Sequence, residues 1–135
     1  MAWATAIYGD RVPILMGLGA ARHHHVIPRA IGVTLVALPV QHRPVNMLGG
    51  RVVLVKRDVD GLEARTESGE LGDMLVTTPE QTLVDLVARP GLGGLEDEAQ
   101  AAAEALLPRV SRDRVRELAA RQRKLAPAER FLEGR

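Results

Sequence analysis

The segment VTTPEQTLVDLVARP, residues 76–90, constrains the fold more than any other part of this sequence. Thr78 and Gln81 have the spacing of a capping box, in which the hydroxyl accepts the N3 amide hydrogen and the Gln side chain reaches back to the cap. Pro79 stands at the first helical position, where its missing N–H costs nothing. Leu83, Val84, Leu86 and Val87 then follow at helical spacing, and Pro90 and Gly91 end the run. The expectation is a core helix over Pro79–Arg89, entered directly from a strand. None of its side chains is an obvious catalyst, so the clearest signal in the chain specifies scaffold.

The other segments can be arranged around that helix. Residues 1–12 are ambiguous, with Trp3, Ile7 and Tyr8 hinting at a short helix. PILMGLGAARHHH predicts a helix from about Ile14 to His24, weakened by Gly17 and Gly19. VIPRAIG reads as a loop, and the β-branched run VTLVALPV, residues 33–40, as a strand. After the connection QHRPVNMLGG come a second strand over 51–59, an edge-like third in LEARTES and a fourth in DMLVTT. An Ala-rich helix over 96–107 is stopped by Pro108. Ser111 can cap a helix to about Leu125 with a buried stripe of Val115, Leu118, Ala119 and Gln122, and Pro127 restarts a short one carrying Phe131 and Leu132. This order predicts one α+β domain over residues 1–135: a small mixed or antiparallel sheet of about four strands packed with helices, and a helical C-terminal third.

Composition narrows the function. Apolar residues make up 46% of the chain and aromatic ones only 2%, so the core is built from aliphatic side chains and base-stacking platforms are disfavoured. The absence of cysteine excludes disulfides and thiolate metal sites. No apolar run approaches the roughly 20 residues that span a bilayer, and no export signal is evident, so a cytoplasmic protein without membrane contact is expected. Charge is segregated. Residues 1–57 carry seven basic and one acidic side chain, residues 58–104 two and twelve, and residues 105–135 nine and four. Such blocks either face one another within the fold or steer a partner of opposite sign.

The chemical motifs are weak. His23, His24 and His25 are consecutive, so on a helix they point about 100° apart and cannot converge on one metal ion. GLGAAR, residues 17–22, resembles the dinucleotide fingerprint but lacks its third glycine and follows no expected strand; PGLGG, residues 90–94, reads as a turn. Asp58 and Asp60 form a D-x-D at a strand end, the pattern with which nucleotidyltransferases hold magnesium. Gly49 and Gly50 stand where such enzymes place a Gly-Ser turn, but the serine is missing and Gly61 follows, so a plain turn is the commoner reading. Arg112, Arg114, Arg116, Arg121, Arg123 and Lys124 form the strongest surface signal, suited to phosphates or acidic protein patches.

MGLGAARHHH, IPRAIGVTLVALPVQHRP, VTTPEQTLVDLVARPGLGG and the Ala/Arg-rich helices after them resemble, from about residue 12 to the end, the C-terminal antitoxin domain of the AbiEi family of bacterial toxin–antitoxin systems. That resemblance implies a non-enzymatic antitoxin, without cofactor or metal, that counteracts a cognate nucleotidyltransferase toxin. Thr78, Pro79, Thr82 and Asp85 match the family motif as structural positions. Family members usually carry a preceding winged helix-turn-helix, for which this chain has no room, so DNA binding is not expected of it alone. The candidate partner surface is Arg112, Arg116, Arg121, Arg123 and Lys124, which would act together on one helix; the alternative is the acidic set Asp58, Asp60, Glu63, Glu67 and Glu70. Two other functions compete: a nucleic-acid-binding regulator using the basic helix, and a metal-dependent nucleotidyltransferase using Asp58 and Asp60.

Overall fold

A strand withdrawn from water on both faces reads as a continuous apolar run, and VTLVAL is such a run. In the computed structural model, which describes residues 13–27, 33–39, 43, 45–47, 50–69 and 72–134, it forms β2, Val33–Leu38, inside a six-stranded sheet. The other strands are β1 Ile14–Met16, β3 Val45–Met47, β4 Gly50–Lys56, β5 Ala64–Gly69 and β6 Gly72–Thr77, in the order β3-β4-β2-β1-β6-β5. β1 with β6 and β2 with β4 run parallel, and the other neighbours antiparallel. The helices are α1 Gly17–His23, α2 Pro79–Ala88, α3 Glu96–Leu106, α4 Arg112–Arg121 and α5 Leu125–Glu133.

The α+β class and helical C-terminal third are as the sequence predicts, but the described residues form six strands rather than about four. Ile14–Met16, expected to open a helix, is instead β1, because β2 and β6 offer it backbone partners on both sides: Leu15 lies opposite Val36 on one and Val76 on the other. Val45–Met47, expected as connection, pairs antiparallel with β4. The expectation for residues 1–12 lies outside the described residues. No helix among the described residues is long and apolar enough to cross a membrane.

Side chains alternate across the sheet, as the two-residue strand period requires. Ile14, Met16, Leu35, Ala37 and Val55 face the helical layer, while Leu15, Val36, Leu38, Leu54 and Val76 form a second buried cluster. α1 lies close on β2 because Gly19 has no side chain: a Cβ there would meet the Leu35 backbone N and O at 3.2 Å. The expected weakness of this glycine in the helix is therefore offset by close helix–sheet approach.

α2 packs against each of the other four described helices, which explains why its sequence is so sharply specified. Leu83, Val84 and Leu86 are buried in it as expected, but so are Gln81, Thr82 and Asp85. The capping box forms only in half. Thr78 Oγ1 accepts from Gln81 N at 3.3 Å, yet the Gln81 side chain does not reach back, because Thr78 N already donates to Glu63 O at 3.0 Å. The PGLGG turn joins α2 to α3 with Gly93 and Gly94 at φ +94° and +78°, a conformation that favours glycine.

Candidate functional site

The polar residues buried in α2 support a cleft. Gln81, wholly buried, satisfies all four of its hydrogen-bonding positions. Its Oε1 accepts from Glu63 N (3.2 Å) and Gln122 Nε2 (2.6 Å), and its Nε2 donates to Asp85 Oδ1 (3.0 Å) and Gln122 Oε1 (2.9 Å). Arg57, just past β4, donates from Nη1 to the same Asp85 oxygen at 3.2 Å. Burial pushes the Asp85 carboxyl above its ordinary range, and Arg57 and Gln81 only partly oppose this. Asp85 Oδ2 has no hydrogen-bond partner among the described residues.

Above this base stand two turns. Val59–Gly61 forms a 3-10 turn after β4, closed by Gly61 N donating to Asp58 O at 3.1 Å, and it exposes Asp58 and Asp60. Opposite it, α4 ends at Arg121 in a Schellman arrangement: Lys124 N donates to Ala119 O (2.7 Å) and Arg123 N to Ala120 O (3.3 Å). Arg123 holds the left-handed position, φ +59°, where glycine is the usual residue. Gln122 Nε2 also reaches Gly61 O at 3.2 Å, fastening the two turns at their base. Arg114, near the start of α4, ties that helix to the segment after the Val59–Gly61 turn: Arg114 Nε donates to Glu63 Oε2 at 2.6 Å, and Thr78 Oγ1 donates to Glu63 Oε1 at 2.7 Å. Burial alone would raise the Glu63 carboxyl, but the Thr78 hydroxyl and Arg114 outweigh it and hold the pKa below its ordinary value.

Between the turns lies a cleft of about 460 Å³. It brings together residues expected on rival surfaces. Asp58, Asp60 and Glu63 line one side, and Arg121, Gln122 and Lys124 the other, with Arg57 and Arg114 also lining it. The expected single-helix arginine face is corrected here. α4 stops at Arg121, Arg123 sits in the turn and Lys124 caps α5, because the chain reverses at residues 122–124 to pack α5 back against α4. Arg112 and Arg116 turn away toward α5, donating to Leu132 O (3.4 Å) and Glu129 Oε1 (2.8 Å). Glu67 lies on the edge strand β5, and Glu70 falls outside the described residues. The charged blocks do therefore meet within the fold in part, through Arg114 with Glu63.

The histidine run is structural at its middle residue. His24 Nε2 donates to Thr77 O at 2.8 Å and Arg109 Nη1 donates to His24 O at 2.6 Å, tying the end of α1 to β6 and to the segment before α4. Burial lowers the His24 pKa, against the opposing effect of its hydrogen bond to Thr77. GLGAAR does follow a strand, contrary to expectation, but its glycines serve packing against β2. Among the described residues no group of three or more His, Cys, Asp or Glu is placed to hold a metal ion. Arg57, Gln81 and Gln122 were not singled out from sequence as site residues; the available signal was a Gln and an Asp four apart within an apolar helix.

No protein-family model matches this sequence, and no curated protein matches it. Its structure is similar to the crystal structure of an antigenic nucleotidyltransferase-like protein from Paracoccidioides brasiliensis, with a TM-score of 0.53 and 11% identity, covering 94% of this chain and 87% of that one. That likeness is one of fold.

Proposed function

We propose that this chain is a binding protein with no catalysis of its own, an AbiEi-like antitoxin that neutralises a cognate nucleotidyltransferase toxin in the cytoplasm by direct contact. The observation that carries this reading is the absence of carboxylates where transfer chemistry would need them. A metal-dependent nucleotidyltransferase follows a glycine turn with a strand bearing paired carboxylates, whose hard oxygens hold the magnesium ions. Here Gly17 and Gly19 stand in the first turn of α1, directly after β1, and residues 11–57, which include β1 to β4, contain no Asp or Glu at all. Asp58 and Asp60 come later, on an exposed turn beside Arg57. A scaffold like that of a nucleotidyltransferase-like protein, without such a strand, suits recognition.

The regulator reading is weakened by the basic helix itself. Arg114 and Arg116 spend their charge on Glu63 and Glu129, and Arg121 lies 3.6 Å from Glu117. A phosphate backbone would meet a face already paired with carboxylates. The test is co-expression with the nucleotidyltransferase encoded beside this gene, measuring growth. Rescue by the folded chain supports the proposal; absence of such a neighbour, or no rescue, overturns it.

A further inference from the structure

We infer that β5 pairs edge to edge with β5 of a second copy of this chain, antiparallel, across a twofold axis at Thr66. The inference stands apart from the antitoxin reading. An edge strand presents a row of backbone N–H and C=O groups without partners in its own sheet, and proteins blunt such edges with proline, bulges or very short strands. β5 has none of these. Its six residues, Ala64–Gly69, contain no proline and pair with β6 in unbroken register, from Ala64 opposite Thr77 to Gly69 opposite Gly72. No described strand pairs with its other side, and Arg65, Thr66 and Ser68 are exposed.

The pairing with β6 decides which backbone groups face outward. In an antiparallel ladder, residues bonded to the neighbouring strand alternate with residues whose N–H and C=O point away from it. Thr78 N donates to Glu63 O, so Glu63 is bonded to its neighbour, and by alternation so are Arg65 and Glu67, opposite Val76 and Met74. The N–H and C=O of Ala64, Thr66 and Ser68 therefore point out of the sheet, held there by the bonds of the residues between them. With Thr66 opposite its own counterpart, Ala64 meets Ser68 of the second copy, and each such pair can exchange both backbone bonds. The same register sets Arg65 opposite Glu67 of the second copy, and symmetry repeats that contact on the other side of the axis. These fall in the non-hydrogen-bonded pairs, where side chains approach most closely and opposite charges favour pairing. Moving the axis to Arg65 or to Glu67 would bring like charges face to face, and moving it further leaves fewer outward groups paired. Backbone direction and charge order thus select one register and one occupant, a second copy.

The experiment measures the mass of the folded full chain by sedimentation equilibrium over a wide concentration range. The parent is expected to dimerise reversibly. Arg65→Glu and Glu67→Arg each set like charges opposite one another and should weaken the dimer on the order of tenfold. An equal mixture of these two variants, one copy acidic at both positions and the other basic, should associate again, as should the double swap Arg65→Glu/Glu67→Arg. Thr66→Pro removes an N–H that faces outward, which an edge strand tolerates, and should abolish the dimer while the monomer still folds. Should Thr66→Pro melt early, the charge variants decide alone. A parent that stays monomeric up to millimolar concentration overturns the inference and leaves the edge to a strand of another protein. A dimer untouched by folded Thr66→Pro overturns β5 as the interface, and single reversals without effect, or a mixture that fails to associate, overturn the register.

Discussion

Replacing Gln81 with leucine should be among the most damaging single changes in the molecule. Leucine fits the space approximately but removes four hydrogen bonds at once. Gln122 is half-buried and can turn to water, so its loss counts for little. Glu63 N–H loses its acceptor, and the buried Asp85 Oδ1 is left with Arg57 as its one donor. Each such loss costs about 1–3 kcal/mol, partly offset by the apolar gain of leucine, so the net loss is roughly 2–4 kcal/mol. Against a total stability of about 5–15 kcal/mol for a chain of this size, that lowers the melting temperature by roughly 10 °C. Thermal denaturation followed by circular dichroism reads it directly. Gln81→Leu combined with Gln122→Leu should lose less than the sum of the two, because the groups share bonds. A Gln81→Leu protein melting within about 2 °C of the parent would refute the reasoning.

Leu83→Ala or Leu86→Ala should cost about 2–5 kcal/mol, since both side chains are buried where α2 meets its neighbours; unchanged melts would refute the assignment of that face. Arg123→Gly should stabilise by about 1 kcal/mol by relieving a left-handed non-glycine residue, seen as a raised denaturation midpoint. Glu63 has a folded pKa below its unfolded one, so its contribution is full at neutral pH and is lost as pH falls through the lowered folded value. The stability gap between the parent and Glu63→Gln should therefore close on acidification, and a gap independent of pH would contradict the Arg114 and Thr78 contacts.

The legible parts of this fold were those fixed by neighbours in the chain. Thr78, Pro79 and the apolar residues after them announce α2 locally, and Ser111 caps α4 as expected, accepting from Arg114 N at 3.3 Å. Ile14–Met16 was misread because three residues before a run of helix formers carry no local strand signal; only β2 and β6 on either side make them a strand. The cleft was harder still. Gln81 lies 18 residues from Glu63 and 41 from Gln122, and their meeting depends on the register of β4 and the direction of α4. Composition revealed that acidic and basic blocks exist, and Gln122 was expected on the inner stripe of α4. That Asp58, Asp60 and Glu63 share one opening with Arg121 and Lys124 follows only from tertiary packing, which also pairs Arg114 with Glu63 and leaves Lys124 free of ion pairs among the described residues.

The most direct test of a non-catalytic antitoxin is a reconstituted transfer reaction. Purified nucleotidyltransferase from the adjacent gene is given RNA, magnesium and labelled nucleotide, and incorporation is measured as this chain is added. Incorporation should fall in proportion to the added protein and cease near a stoichiometric amount, while the chain alone incorporates nothing. Undiminished incorporation in the presence of excess folded chain, or incorporation by the chain alone that is lost on Asp60→Asn, would contradict the proposal.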